Sequence, residues 1–191
     1  KVILYKEEIE RALKTPGFSC FQLLDLHDFP GQGTALVGII DAFWESKGLI
    51  SPEEFRQFCS PVVPLSRFDK ATYTNNETFN VEFEVANFGN SELINIQPLW
   101  SLTNSKGAII SQGELNKQSI PLGNALKLGE TSVPLSTVTN ADKLTLSLSF
   151  KGTNYRNSWD IWVYTQTMPE IKNEIIYTRS FNEAAQALEQ G

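Results

Sequence analysis

The sequence predicts an α+β chain in which an α/β unit over residues 1–63 precedes an antiparallel β-sandwich over residues 64–166. In the first range, apolar residues recur with the period of helices on either side of one short, nearly continuous apolar run. In the second range that period disappears, and apolar residues alternate with polar ones, as in strands that bury one face. Residues 167–191 are predicted to be a linker and the start of a further element.

The N-terminal element is predicted to be an amphipathic helix that ends at Thr15-Pro16-Gly17. Its apolar residues, Tyr5, Ile9, Ala12 and Leu13, share one helical face. The carboxylates of Glu7, Glu8 and Glu10 are predicted to lie on the opposite, solvated face and to have no catalytic role. After a turn, the apolar run Phe21–Leu26 is typical of a strand that is covered on both faces.

A second helix is predicted after the turn Pro30-Gly31-Gln32-Gly33, with Thr34 as its cap and Lys47-Gly48 as its end. Its apolar residues are Leu36, Val37, Ile39, Ile40, Phe43 and Trp44. The residues Ser51-Pro52-Glu53-Glu54 form a capping-box pattern, which predicts a short helix through Phe58. The order helix, strand, helix is a piece of a βα repeat, and its single strand needs neighbouring strands to satisfy its backbone.

About seven short strands are predicted between residues 66 and 165. The clearest alternation of apolar and polar residues lies in Phe79–Val85 and Leu144–Phe150. Further strands are predicted at Ile94–Leu102, Ala108–Leu115, Thr131–Leu135 and Ser158–Tyr164, with a hairpin turn at Asn104-Ser105-Lys106-Gly107. This number of strands over about 100 residues is typical of an immunoglobulin-type sandwich, although the Cys…Trp…Cys signature of antibody domains is missing.

The C-terminal residues predict a strand followed by a new helix, in which Ser180 is the N-cap and Glu183 completes a capping box. Because one element begins so near the end of the chain and another so near its start, we expect the chain to be a region of a longer protein.

The composition argues against some classes of binding partner. The chain has 191 residues, 41% of them hydrophobic, and a net charge of −6. An acidic chain argues against binding to nucleic acid or to anionic membranes, both of which require a basic surface. No apolar run is long enough to span a membrane. No pattern of cofactor or metal ligands stands out, so no cofactor and no metal are expected.

Three ionisable residues, Asp25, His27 and Asp28, follow directly on the predicted buried strand, and His27 is the only histidine of the chain. In an α/β barrel, binding and catalytic groups lie where a strand ends and its loop begins. These residues are therefore candidates for hydrogen bonds to a substrate. Two alternatives stay open: an aspartate in this position is often a turn or cap residue, and a lone histidine often has no catalytic role.

The segments "GFSCFQLLDLHDFPGQGTALVG", "DAFWESKG" and "PEEFRQFC" resemble the closing part of the catalytic barrel in glycoside hydrolase family 2. The resemblance covers roughly residues 5–65 and is to bacterial β-galactosidase-like proteins. It implies that residues 1–63 form the end of a (β/α)8 barrel and that an immunoglobulin-like sandwich follows. The fold class expected on this basis is an α+β multidomain fragment.

The resemblance also implies a function for the parent protein, which would hydrolyse O-glycosidic bonds of oligo- or polysaccharides by a retaining, two-carboxylate mechanism. Both catalytic glutamates of the family would lie before residue 1, so this chain alone is expected to be inactive. Asp25, His27 and Asp28 would then contact the carbohydrate substrate. Implied partners are the other domains of the parent protein, or a second copy of the chain, and the implied location is periplasmic or extracellular. The alternative is a non-catalytic carbohydrate-binding or structural module.

Cysteines and tryptophans leave further alternatives open. Cys20 and Cys59 are expected to be reduced thiols, and the sequence alone does not decide whether they pair. In the last predicted strand, Trp159 falls on the face expected to be buried. Trp162 and Tyr164 fall on the other face, where they would pack against the barrel or stack on a sugar. Trp44 is expected to pack in the core.

Overall fold

The computed structural model describes residues 1–31, 36–167 and 176–189. The helices are α1 (Val2–Leu13), α2 (Pro52–Phe58) and α3 (Phe181–Glu189). The strands are β1 (Val62–Arg67), β2 (Thr72–Thr74), β3 (Thr78–Asn87), β4 (Leu93–Ile96), β5 (Pro98–Thr103), β6 (Ile109–Glu114), β7 (Gln118–Ile120), β8 (Gly123–Pro134), β9 (Asp142–Phe150) and β10 (Arg156–Tyr164).

The strands form a β-sandwich of two main sheets. One sheet has the order β1-β3-β8 and the other has the order β2-β10-β9-β5-β6, while β4 and β7 form a short separate pair. All pairings are antiparallel except that of the edge strand β2 with β10. The predicted antiparallel sandwich is therefore confirmed. Its sheets of three and five strands differ from the four and three of the immunoglobulin constant type.

The core between the sheets is made by alternate residues of facing strands. β3 contributes Phe79, Val81, Phe83 and Val85, and β9 contributes Leu144, Leu146, Leu148 and Phe150. Each of these eight side chains is at most 3% exposed. The alternation in the sequence thus predicted the inward face of both strands correctly, because side chains of successive residues point to opposite sides of a sheet.

A second, smaller core joins α1 and α2 to the outer face of β1 and β3. It contains Ile9 and Leu13 of α1, Phe58 of α2, Val63 and Leu65 of β1, and Ala86 of β3. Because β1 contributes to both cores, its residues from Val62 to Ser66 are all buried. The helices therefore form a third layer on the sandwich.

The carboxylate of Glu10 connects α1 to β10 and is only 1% exposed. Its two oxygens accept hydrogen bonds of 2.8 Å from Asn157 Nδ2 and of 2.8 Å from Trp159 Nε1. Lys6 and Lys14 lie one turn before and after it, at 3.1 and 3.2 Å. The prediction of a solvated face is therefore wrong for Glu10, since the helix turns this side toward the sandwich.

Two predicted elements of the first sixty residues are wrong. Phe21–Leu26 is not a strand, and residues 36–47 are not a helix. Among the described residues no bridge involves Phe21–Leu26, and a single one joins the next residue, His27, to Ile40. A strand at Phe21–Leu26 therefore lacks the neighbours that it needs. The expected barrel end is accordingly not seen, while Thr34 and the Gln32-Gly33 part of the turn lie outside the described residues.

Several local predictions are confirmed. Ser51 and Glu54 form the predicted capping box at the start of α2, and α3 begins directly after Ser180. The capping box predicted for α3 is wrong, because Ser180 N donates to the Thr178 hydroxyl and Glu183 accepts from that same hydroxyl. The Asn104–Gly107 turn closes with a 2.9 Å hydrogen bond from Gly107 N to the Asn104 carbonyl. The predicted strand Ile94–Leu102 is instead two strands, β4 and β5, which belong to different sheets.

Candidate functional site

The three candidate residues Asp25, His27 and Asp28 lie in one ordered loop, here called the Asp28 loop (residues 24–31 and 36–48). The loop is attached to α1 through Tyr5, whose hydroxyl donates to the carbonyls of Asp25 at 3.0 Å and Val37 at 3.3 Å. Its two arms are joined by backbone hydrogen bonds from Ile39 N to Leu26 O and from Asp28 N to Ile40 O. The loop is therefore held by the chain's own contacts rather than by a sheet.

An ion pair between Asp28 and Lys47 closes the loop. Lys47 Nζ lies 3.0 and 2.9 Å from the two carboxylate oxygens of Asp28, whose side chain is 7% exposed. The same ammonium donates to the Gly38 carbonyl at 3.2 Å, and Gly38 N donates to Asp28 Oδ1 at 2.8 Å. The hydrogen bond from Lys47 holds the pKa of the Asp28 carboxyl below its ordinary value.

Gly38 is needed at this point because the two arms of the loop touch. A Cβ atom on Gly38 would lie 2.3 Å from the His27 carbonyl carbon and 2.4 Å from Asp28 N. Both of these are backbone atoms, so a larger residue would force the arms apart. The glycine thus allows the close approach on which the Asp28–Lys47 ion pair depends.

Beside the ion pair, the rings of His27 and Trp44 form a small aromatic surface. Their centroids are 4.8 Å apart, and the His27 ring donates through Nδ1 to the Asp28 carbonyl at 2.6 Å. Trp44 has a φ of 67° and is 66% exposed, which contradicts its predicted place in the core. For a residue other than glycine this backbone conformation costs roughly 1–2 kcal/mol. Strain of this kind is common at binding sites.

The structure separates the roles of the predicted residues. Asp28 is buried, and its carboxylate accepts hydrogen bonds from Lys47 and Gly38. It therefore organises the loop. His27 and Asp25 are half-buried and remain the candidates for direct contact with a ligand. Tyr5 and Lys47 are not predicted as site residues from the sequence, and they lie 23 and 19 residues away from Asp28 in the chain. No local spacing pattern indicates partners at such distances.

Large apolar side chains of the same loop are exposed. Leu24 is 82% exposed, Leu36 70% and Phe43 83%, in addition to Trp44. Isolated exposed apolar residues are ordinary on protein surfaces, but four large ones within one loop are more than such isolated cases.

Replacing Asp28 by alanine is expected to open the loop without unfolding the sandwich. The change leaves Lys47 Nζ and Gly38 N without their shared acceptor. Amide hydrogen exchange at Ile39 and Ile40 should then become roughly tenfold faster, as expected for the loss of a charged hydrogen bond. Glu45→Ala, at an exposed position of the same loop, is the matched control and should leave exchange unchanged.

The same measurement in the unaltered chain should depend on pH. The pKa of Asp28 is lowered in the folded state. The stabilisation of the loop by the Asp28 carboxylate is therefore complete above the ordinary pKa of 3.8. Protection is lost as the pH falls through the lowered folded value. Exchange that is equally slow in the Asp28→Ala variant would show that the ion pair does not hold the loop.

A second aromatic pair lies on the outer face of the five-stranded sheet. Trp162 and Tyr164 of β10 are 42% and 50% exposed, whereas Trp159 on the opposite face is buried, as predicted. Next to them Asp160 is held by Lys143 Nζ at 3.0 Å and by the Thr145 hydroxyl at 2.7 Å. The face therefore offers two ring surfaces beside an ordered polar group.

Three negative findings concern the described residues. Within residues 1–31, 36–167 and 176–189, no group of three or more His, Cys, Asp or Glu side chains is arranged to hold a metal ion. No described helix has the length and apolar character required to cross a bilayer. Both described cysteines are free thiols.

Comparison with known proteins gives a family match for the sandwich. Residues 77–165, a little under half of the chain, match the model of a domain of unknown function, DUF8488. No curated protein matches the chain.

Among solved structures the chain is similar to β-sandwich domains at low identity. The CARDB domain of a Pyrococcus furiosus protein is 11% identical, with a TM-score of 0.41, over 55% of this chain and 94% of that one. A β-glucuronidase from glycoside hydrolase family 2 is 13% identical, with a TM-score of 0.36, over 53% of this chain and 11% of that one. A β-glucuronidase from Parabacteroides merdae is 12% identical, with a TM-score of 0.37, over 53% and 13%.

Proposed function

We propose that this chain is a non-catalytic region of a glycoside hydrolase. In this proposal the sandwich serves as a scaffold, and the Asp28 loop packs against the catalytic domain of the same parent protein. The observation that carries the proposal is the combination of an ion-paired, ordered loop with large exposed apolar side chains on that loop. The resemblance of the sequence of residues 5–65 to the closing part of a family 2 barrel supports the choice of the catalytic domain as the partner.

The proposal assigns a role to each predicted site residue. His27 and Asp25 would contact a sugar hydroxyl at the edge of the catalytic site, and the exposed Trp44 ring would lie against a pyranose face. Asp28 would act through position only, by fixing the backbone on which His27 sits. The catalytic acid and nucleophile would belong to the remainder of the parent protein, which we propose to be periplasmic or extracellular.

The experiment is to isolate the natural gene product, measure its intact mass and assay it on aryl glycosides. We expect a mass several times that of this chain and retention of anomeric configuration during hydrolysis. In that product His27→Ala should lower kcat/KM at least tenfold, whereas Glu45→Ala on the same loop should not change it. A natural product no larger than this chain, or one without glycosidase activity, would overturn the proposal.

A second candidate function is favoured by the outer face of β10. Trp162 and Tyr164 lie two residues apart on one strand face, so their Cα atoms are about 7 Å apart along the strand. Such a pair suits stacking on successive sugar units, which a carbohydrate-binding module needs.

If the chain is such a module, the isolated chain should be retained by an insoluble polysaccharide, and Trp162→Ala should abolish retention. His27→Ala is the matched control, because it alters the other aromatic pair.

A further inference from the structure

Both cysteines of the chain line one apolar cleft. The cleft has a volume of about 310 Å³ and lies beside the C-terminal end of α1. Its lining includes Phe18, Cys20, Phe58 and Cys59. Two thiols that are 39 positions apart in the sequence are therefore brought to one concave surface.

The two cysteines differ in how firmly their backbone is held. Cys59 is the C-cap of α2, where its amide donates to the Phe55 carbonyl at 3.0 Å, and its half-buried side chain packs on the second core. Cys20 is exposed, and residues 18–23 around it are neither helix nor strand. The Cys59 thiol is thus fixed at the cleft, and Cys20 lines the same cleft on a segment outside helix and strand.

We infer that Cys20 and Cys59 form a disulfide across this cleft when a disulfide oxidant such as oxidised glutathione is present. The exposed Cys20 thiolate attacks one sulfur of the oxidant, which breaks its S–S bond and releases one glutathione thiolate. The Cys59 thiolate then attacks the Cys20 sulfur and releases the second glutathione. The protein loses two protons and two electrons, and the oxidant becomes two thiols.

Burial supports this order of attack. It raises the pKa of the Cys59 thiol above its ordinary value, which lowers the thiolate fraction of Cys59 at neutral pH, whereas the Cys20 sulfur is exposed to the oxidant. The first step therefore occurs at the accessible sulfur, and the second is favoured by the shared cleft.

The bond would act on the candidate site. It would close a ring that contains the whole Asp28 loop, because that loop lies between Cys20 and Cys59 in the chain. Closing a ring of this length restricts the unfolded chain and ties the start of the loop to α2. The inference goes beyond the proposed function and does not depend on sugar binding, so its test leaves that proposal untouched.

The experiment treats the reduced chain with oxidised glutathione at neutral pH, then measures intact mass, thiol content and oligomeric state. The expected product is a monomer that has lost two hydrogen atoms and both thiols, with Cys20 and Cys59 in one linked pair of proteolytic peptides. Cleavage by protease within the Asp28 loop should become several-fold slower in this product, and reduction should reverse the change.

Two single variants serve as controls. Cys59→Ser should end with one glutathione on Cys20, Cys20→Ser should form no intramolecular disulfide, and neither variant should change in protease resistance on oxidation. A stable glutathione adduct on Cys20 of the unaltered chain, with the Cys59 thiol retained, would overturn the inference. A disulfide-linked dimer as the main product would also overturn it.

Discussion

Replacing Phe83 by alanine is expected to lower the free energy of unfolding by about 4 kcal/mol. Phe83 is fully buried in β3, the central strand of the three-stranded sheet. Its ring stacks on Trp100 of the opposite sheet with centroids 6.3 Å apart. The truncation therefore removes a contact between the sheets and leaves a cavity that the paired strands on either side cannot close.

Urea unfolding followed by tryptophan fluorescence measures this change. Phe43→Ala is the matched control, since it removes the same ring from a side chain that is 83% exposed, and it should alter stability by no more than about 0.5 kcal/mol. Equal effects of the two variants would mean that Phe83 is not part of a packed core.

Replacing Glu10 by alanine is expected to cost about 3 kcal/mol of unfolding free energy. The change removes the acceptor of Asn157 Nδ2 and Trp159 Nε1 and the partner of Lys6 and Lys14. Asn157 and Trp159 are themselves buried, so water does not readily replace the carboxylate. The lysines are each 18% exposed and can turn toward solvent, which limits the loss.

Two further variants define the origin of that loss. Glu8→Ala, on the exposed face of the same helix, should leave the urea midpoint nearly unchanged. Glu10→Gln keeps an oxygen acceptor but removes the charge, so its stability should lie between those of the unaltered chain and Glu10→Ala. If Glu10→Ala is as stable as Glu8→Ala, the helical layer does not depend on this carboxylate.

Phe83 and Glu10 have different roles in the proposed function. Phe83 holds the sandwich together whatever the chain does. Glu10 holds α1 on the sandwich, and α1 carries Tyr5, whose hydroxyl is bonded to two carbonyls of the Asp28 loop. Loss of Glu10 should therefore also loosen the loop, and amide exchange at Ile39 and Ile40 in the Glu10→Ala variant would detect it.

Strands were predicted correctly where apolar and polar residues alternate within the segment itself. The alternation in Phe79–Val85 and Leu144–Phe150 predicted both the strands and their buried faces. It failed where partners decide the structure: Ile94–Leu102 reads as one strand, yet residues on either side of Gln97 pair with different sheets. The change of sheet at that point depends on β7 and β9, which are distant in sequence.

The candidate site shows the same division. The sequence predicts three candidate site residues because ionisable groups follow an apolar run: Asp25, His27 and Asp28. In the structure Asp28 is buried, whereas Asp25 and His27 stay half-exposed. This difference depends on Lys47 and Gly38, which no spacing rule connects to Asp28. Trp44 was predicted to be a core residue on helical periodicity, but without a helix its ring is exposed beside His27.

The sequence by itself determined the β-sandwich, the inward faces of its longest strands and the caps of α2 and α3. These features follow from the alternation of side chains along a strand and from hydrogen bonds between near neighbours. Only the tertiary structure decided that Glu10 is buried, that Phe21–Leu26 is not a strand and that Asp28 organises a loop. Each of these depends on which distant residue supplies a hydrogen-bond partner or covers an apolar side chain, and such contacts leave no local pattern in the sequence.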